Sequence, residues 1–131
     1  MFIPEKVREI FNAQEIIPFA TANAGGVPNV VPIYWKTIID EDTIFVLDNY
    51  LRASKKNIAE NDQVCLACWG KGGEAYKLKG TATYHQNDEV YEQGRDFMQA
   101  KRPQAEPRGV VRIKITEIYD LKAGPQAGLP I

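Results

Sequence analysis

The architecture of this chain turns on Asn29-Val30-Val31-Pro32-Ile33-Tyr34-Trp35-Lys36-Thr37-Ile38-Ile39. It is rich in β-branched and aromatic residues, the types that fit a pleated surface. Pro32 cannot donate to a ladder, so the strand belongs at an edge or carries a bulge. Before it, Ile16 to Ala22 reads as a strand, and Asn23-Ala24-Gly25-Gly26-Val27-Pro28 supplies a turn. After it, Asp40-Glu41-Asp42 turns the chain into a further strand, Thr43 to Leu47. Two hairpins within the first fifty residues predict an antiparallel sheet or barrel.

The rest of the chain fits that frame. Val7, Ile10 and Phe11 recur at helical spacing after Pro4. Asn49 to Ala59 suits a short helix with basic residues near its start, and Ile58 on it would cover part of the barrel. Gln63 to Trp69 and Ala75 to Tyr84 read as strands joined by Gly70-Lys71-Gly72-Gly73. Asp88 to Ala100 is helical, with Asp88 as N-cap and Val90, Tyr91, Phe97 and Met98 towards the core. Lys101 to Arg108 is a loop, Val110 to Leu121 closes the sheet, and residues 122–131 form an irregular tail. The expectation is one domain over 1–131, mainly β with short helices, built as a six-stranded antiparallel split β-barrel.

Composition narrows the functions. Of 131 residues 44% are hydrophobic and 25% charged, and the formal net charge is −1. That balance suits a globular domain and speaks against a nucleic-acid or membrane-surface binder. No apolar run approaches the ~20 residues of a membrane helix, and no secretory leader is legible, so a cytoplasmic protein is expected. One histidine, His85, lies at a strand end, where a surface role outweighs that of a catalytic base. Cys65 and Cys68 have C-x-x-C spacing, but inside an apolar strand residues three apart point to opposite faces. They read as structural, and no metal site is expected.

Two segments are candidates for chemistry. Arg52-Ala53-Ser54-Lys55-Lys56-Asn57 places a hydroxyl and cations at a helix start, which suits a phosphate; a solvated helix face is the other reading. Asn29 to Lys36 could offer backbone groups to a planar heterocycle, or be barrel core plus a dimer surface. Lys101, Arg102, Arg108, Arg112 and Lys114 read as a solvated surface. With no protein-based catalytic motif present, chemistry here would be carried by a cofactor.

The order of these segments resembles the FMN-binding split β-barrel family related to pyridoxamine 5′-phosphate oxidase. Ser54-Lys55-Lys56 with Asn57 and Asn61 is similar to the family's S/T-x-K…N-x-x-x-N phosphate segment. Leu78-Lys79-Gly80-Thr81-Ala82 looks like its x-x-x-G-x-A strand. Ile118-Tyr119 with Gly124-Pro125-Gln126-Ala127-Gly128 resembles the ending of its small flavoproteins. The resemblance implies that Ser54, Lys55 and Lys56 hold the FMN phosphate with Arg52 nearby. Asn29, Val30, Val31, Pro32 and Tyr34 would line the flavin ring, and Leu47, Asp48 and Asn49 would continue that wall. It also implies a homodimer with flavin at the subunit interface, reached by Trp69, Ala75, Tyr76 and Gln126 of the partner.

The implied function is a flavin-dependent oxidoreductase or electron-transfer protein with no catalytic side chain of its own and an unidentified electron donor or acceptor. The alternative is a protein that binds or stores flavin or another cofactor without turnover. The oxidase carries an additional C-terminal region with Arg and His contacts to its vitamin substrate. Here no histidine follows His85, so pyridoxal phosphate synthesis is not expected. Ala53 stands where some small relatives have a basic residue.

Overall fold

The computed structural model describes residues 2–131. The elements run α1 (Glu5–Ala13), β1 (Ile17–Ala22), β2 (Pro28–Ile33), β3 (Lys36–Ile38), β4 (Thr43–Asp48), α2 (Arg52–Glu60), β5 (Gln63–Trp69), β6 (Ala75–His85), α3 (Glu89–Gln99) and β7 (Gly109–Asp120). One antiparallel sheet has the order β2-β1-β5-β6-β7-β4-β3. It has seven strands among the described residues rather than six, because the stretch expected to be one strand over 29–39 is divided.

The division makes sense of the split barrel. β2 pairs with β1, β3 pairs with β4, and these two halves are the opposite ends of the sheet. Tyr34 and Trp35 are the joint between them, and the Trp35 carbonyl still accepts from Leu47 N–H at 3.0 Å. A sheet that curls round on itself needs a strand that changes partners at a bend. Pro32 sits on the edge strand, as its missing donor demands.

The interior follows from the alternation of the strands. Phe19, Ile44, Val46, Leu66, Leu78, Val111 and Ile113 belong to one buried cluster, which also takes Val7 and Phe11 of α1. β4 is buried on both faces. Its other face, Phe45 and Leu47, meets Met98 of α3 and Val110 in a second cluster. The approach of α3 is close: a Cβ added at Gly94 would meet Val110 Cγ2 at 2.5 Å.

Several local expectations are met. Asp88 caps α3, accepting from Tyr91 N–H at 3.0 Å. Asp40 Oδ1 accepts from the amides of Asp42 and Thr43, which forms the β3–β4 turn. One is corrected. α2 begins at Arg52, not Asn49, because Asp48 Oδ1 takes Leu51 N–H at 2.7 Å and holds residues 49–51 in a turn. The tail over 122–131 holds no helix or strand and folds back on β7: Gly128 N–H donates to Asp120 O at 2.7 Å, and Ile131 N–H to Ile118 O at 3.0 Å.

Candidate functional site

The site is built where β2, the turn after β4 and the start of α2 converge. Beneath α2 lies a buried polar cluster. Asn57 Nδ2 donates to Thr21 Oγ1 at 3.0 Å, and Asn29 Nδ2 donates to Ser54 Oγ at 3.2 Å and Thr21 Oγ1 at 3.4 Å. These bonds tie α2 to β1 and β2, and Ser54 is only 1% exposed. Ser54 Oγ accepts from Asn29, so its own proton is left to donate.

Asp48 forms the second anchor. It is buried, its Oδ1 holds the Leu51 amide and its Oδ2 accepts a short hydrogen bond from Tyr84 OH. Burial, aided by that bond, pushes the Tyr84 phenol above its ordinary range, so it stays protonated and donates. Lys55 Nζ lies over the Tyr84 ring at 4.9 Å. The turn Asn49-Tyr50-Leu51 is thereby fixed from below, and α2 opens with no side-chain cap and no acidic residue in its first turn. Arg52 and Lys56 are exposed beside it. A helix start of this kind attracts an anion.

A cavity of about 580 Å³ adjoins this turn. Val31, Pro32, Ile33, Tyr34 and Trp35 form one wall, Leu47, Asn49, Tyr50 and Leu51 another, and Met98, Arg102 and Ala105 the third. The volume is that of a small-molecule or cofactor pocket. Of the expected ring-lining residues the cavity takes Val31, Pro32, Tyr34, Leu47 and Asn49. Asn29 and Asp48 lie beside it, in the hydrogen-bonded frame. Val30, 64% exposed, lies in an apolar groove with Ile16, Pro18 and Trp69 that adjoins the cavity through Val31 and Pro32. Ala75, Tyr76 and Gln126 line neither space.

Met98, Arg102 and Ala105 escaped the sequence reading as site residues. Met98 carries only a core signal, and Arg102 reads with Lys101 as part of a solvated surface. Lys101, Arg102, Arg108 and Lys114 are indeed exposed and Arg112 half-buried; Arg102 Cζ nevertheless lies 5.9 Å from the Trp35 ring centroid at the cavity edge, and Lys114 pairs with Asp42 at 2.8 Å. His85 is at the end of β6, bonded to Thr83 Oγ1 at 2.6 Å and Asp88 Oδ2 at 2.7 Å.

The cysteines behave as strand geometry requires. Cys68 is fully buried in the core and Cys65 half-buried, and both are free thiols. Burial pushes the Cys68 thiol up to about 12, against the pull of Lys36. At pH 8 its thiolate fraction is then on the order of one in ten thousand. Native protein should leave Cys68 unmodified by a thiol-disulfide reagent at pH 8, with two thiols reacting after unfolding in guanidinium. Two fast thiols in the native protein would contradict this burial.

The fold and sequence have known counterparts. The sequence model of the family described as pyridoxamine 5′-phosphate oxidase matches residues 3–122. A relative from Methanocaldococcus jannaschii, the uncharacterized protein MJ0282, is 38% identical over 126 residues, covering 95% of this chain and 83% of that protein. The structure of HupZ from Group A Streptococcus is similar with a TM-score of 0.83 at 25% identity, over 96% of this chain and 99% of that one. An FMN-binding protein from Syntrophomonas wolfei superposes at 0.75 with 15% identity, over 89% and 84% of the two chains. HutZ, the heme storage protein of Vibrio cholerae, does so at 0.69 with 16% identity, over 92% and 95%. Among the described residues no helix is long and apolar enough to cross a membrane. With a match across residues 3–122 and an antiparallel barrel split at Tyr34-Trp35, the chain belongs to the pyridoxamine 5′-phosphate oxidase family.

Proposed function

We propose that this chain is an FMN-binding oxidoreductase or electron-transfer protein, working as a cytoplasmic homodimer. The observation that carries the reading is one of adjacency. An uncapped, cation-flanked helix start directly follows the Asn49-Tyr50-Leu51 wall of a 580 Å³ cavity. An anionic group and a planar apolar one are thus provided for side by side, which fits FMN.

Each set of residues has a distinct task. Arg52, Lys55 and Lys56, with Ser54 and the amides of the first turn of α2, would hold the phosphate. Val31, Pro32 and Tyr34 would flank the ring and exclude water from one side of it. Leu47 and Met98, which also line the cavity, would close the apolar end, and Asn49 would offer a polar group to the linking chain. A second copy would complete the outer side, with Trp69, Ala75, Tyr76 and Gln126 as candidate contacts. Bound FMN supplies hydride or single-electron transfer, so no side chain here needs to act as a nucleophile.

Titration of apo protein with FMN and with riboflavin tests this reading. FMN should bind more tightly than riboflavin. Lys56→Ala should weaken FMN binding about tenfold while leaving riboflavin unchanged, the size of one charge-assisted contact. Equal losses for both ligands would place the phosphate elsewhere. A protein that ignores FMN and gives a Soret band with heme would replace the flavin reading by cofactor storage, as in the heme storage protein of Vibrio cholerae.

A further inference from the structure

Behind Trp35 lies a second cavity of about 370 Å³, between the end of α1, the β2–β3 joint and the end of α3. Gln14, Glu15, Trp35, Lys36, Phe97 and Lys101 are among its lining residues. It shares Tyr34 and Trp35 with the larger cavity and is otherwise separate from it. Trp35 meets Phe97 edge to face, with centroids 6.3 Å apart and planes at 86°. This gives the pocket an apolar wall of two rings.

Cations gather around that wall. Lys101 Nζ lies 5.0 Å from the Phe97 centroid, and Arg102 stands over the Trp35 ring. Lys36 Nζ donates to the Phe11 carbonyl at 3.2 Å and lies 4.8 Å from the Phe11 centroid. Among the described residues, none of the three joins a carboxylate in an ion pair; the pairs present there are Lys6–Glu74, His85–Asp88, Arg95–Asp96 and Lys114–Asp42. Burial lowers the pKa of Lys36, and the charge of Lys101 adds to that while Cys68 opposes it. Two ammonium groups lining one pocket repel each other, and an anion between them relieves both.

We propose that this pocket binds a small aromatic carboxylic acid, its carboxylate between Lys36 and Lys101 and its ring against Trp35 and Phe97. The volume is at the small end of ligand pockets, which favours a single ring over a nucleotide. Two ammonium groups can each donate to one carboxylate oxygen, and a flat ring can stack on one of the two perpendicular rings while meeting the other edge-on. The site stands independently of FMN, because the ligand is held without any group from the start of α2.

Benzoate is the probe, read through tryptophan emission of the full chain carrying Trp69→Phe, which leaves Trp35 as the reporter. Apo protein should show a saturable change with benzoate, and neutral benzamide should bind at least about tenfold more weakly. Lys101→Glu should weaken benzoate by at least about tenfold. Lys71→Glu, the same charge change in the exposed turn after β5, should leave it unaltered. Absence of a saturable signal, equal binding of benzamide, or an unchanged Lys101→Glu would each overturn the proposal. Loss on Arg102→Gln without loss on Lys101→Glu would put the ligand in the neighbouring cavity instead. Since apo protein is used, a failure to bind FMN leaves this result readable.

Discussion

Asp48→Ala should lower the stability of the chain by about 3 kcal/mol and weaken FMN binding more than any single lysine replacement. The stability figure combines two losses. One is the turn bond from Leu51 N–H to Oδ1 at 2.7 Å, comparable to a helix cap of ~1 kcal/mol. The other is the half-buried Tyr84 hydroxyl left without its acceptor, a cost of roughly 1–3 kcal/mol. Binding suffers because the same carboxylate sets the Asn49-Tyr50-Leu51 wall and the entry into α2. Asp48→Asn keeps one carbonyl oxygen for the Leu51 amide, so its loss should be nearer ~1 kcal/mol. Tyr84→Phe removes only the other half of the network. A double-mutant cycle between Asp48 and Tyr84, read by urea denaturation, should therefore be non-additive. An unaltered denaturation midpoint for Asp48→Ala would mean that the carboxylate is no part of the frame.

That network marks the boundary of what the sequence could convey. Elements with a clean period were legible: β5 spans Gln63–Trp69 as read from its apolar run, and α3 begins behind Asp88 as its capping chemistry implies. The division of residues 29–39 was not, since both halves favour strands and the joint, Tyr34-Trp35, carries no turn residue. It is imposed by the curl of the whole sheet, a long-range demand with no local signature. The site shows the same limit. Ser54 and Lys56 had a local signal in the basic helix start, whereas Thr21, Asn29, Ser54 and Asn57 meet only after folding. Tyr84 and Asp48 are 36 residues apart, one at the end of a strand and the other just past the expected end of one, and nothing local to either announces their bond. Met98 and Arg102 enter the cavity because α3 packs on Phe45 and Leu47, and nothing in their own neighbourhood announces that.

Gly80→Ala should be the most disruptive single-methyl change, costing about 2–4 kcal/mol, because its new carbon has no space to enter. Gly80 is buried at the irregularity in the β6–β7 ladder, where the register shifts between Lys79 and Gly80. A Cβ built there would lie 2.2 Å from the Lys114 carbonyl oxygen and 2.9 Å from its carbon. Those are backbone atoms of the neighbouring strand, so no rotamer change can make room. Relief requires β7 to move, and β7 carries Ile113 and Ile115 into the core and pairs with β4 on its other side. The strain would thus spread through the two longest strands to the element that ends in Asp48. A glycine in a strand otherwise lacks packing and loses entropy on folding, so replacing one elsewhere could be neutral or favourable. At this position the clash outweighs that gain. Urea denaturation of Gly80→Ala beside Thr81→Ala, the adjacent half-buried position, separates the two effects. Thr81→Ala should change stability by less than ~1 kcal/mol. If Gly80→Ala matched it, the close approach of β6 and β7 would not be what keeps a glycine here.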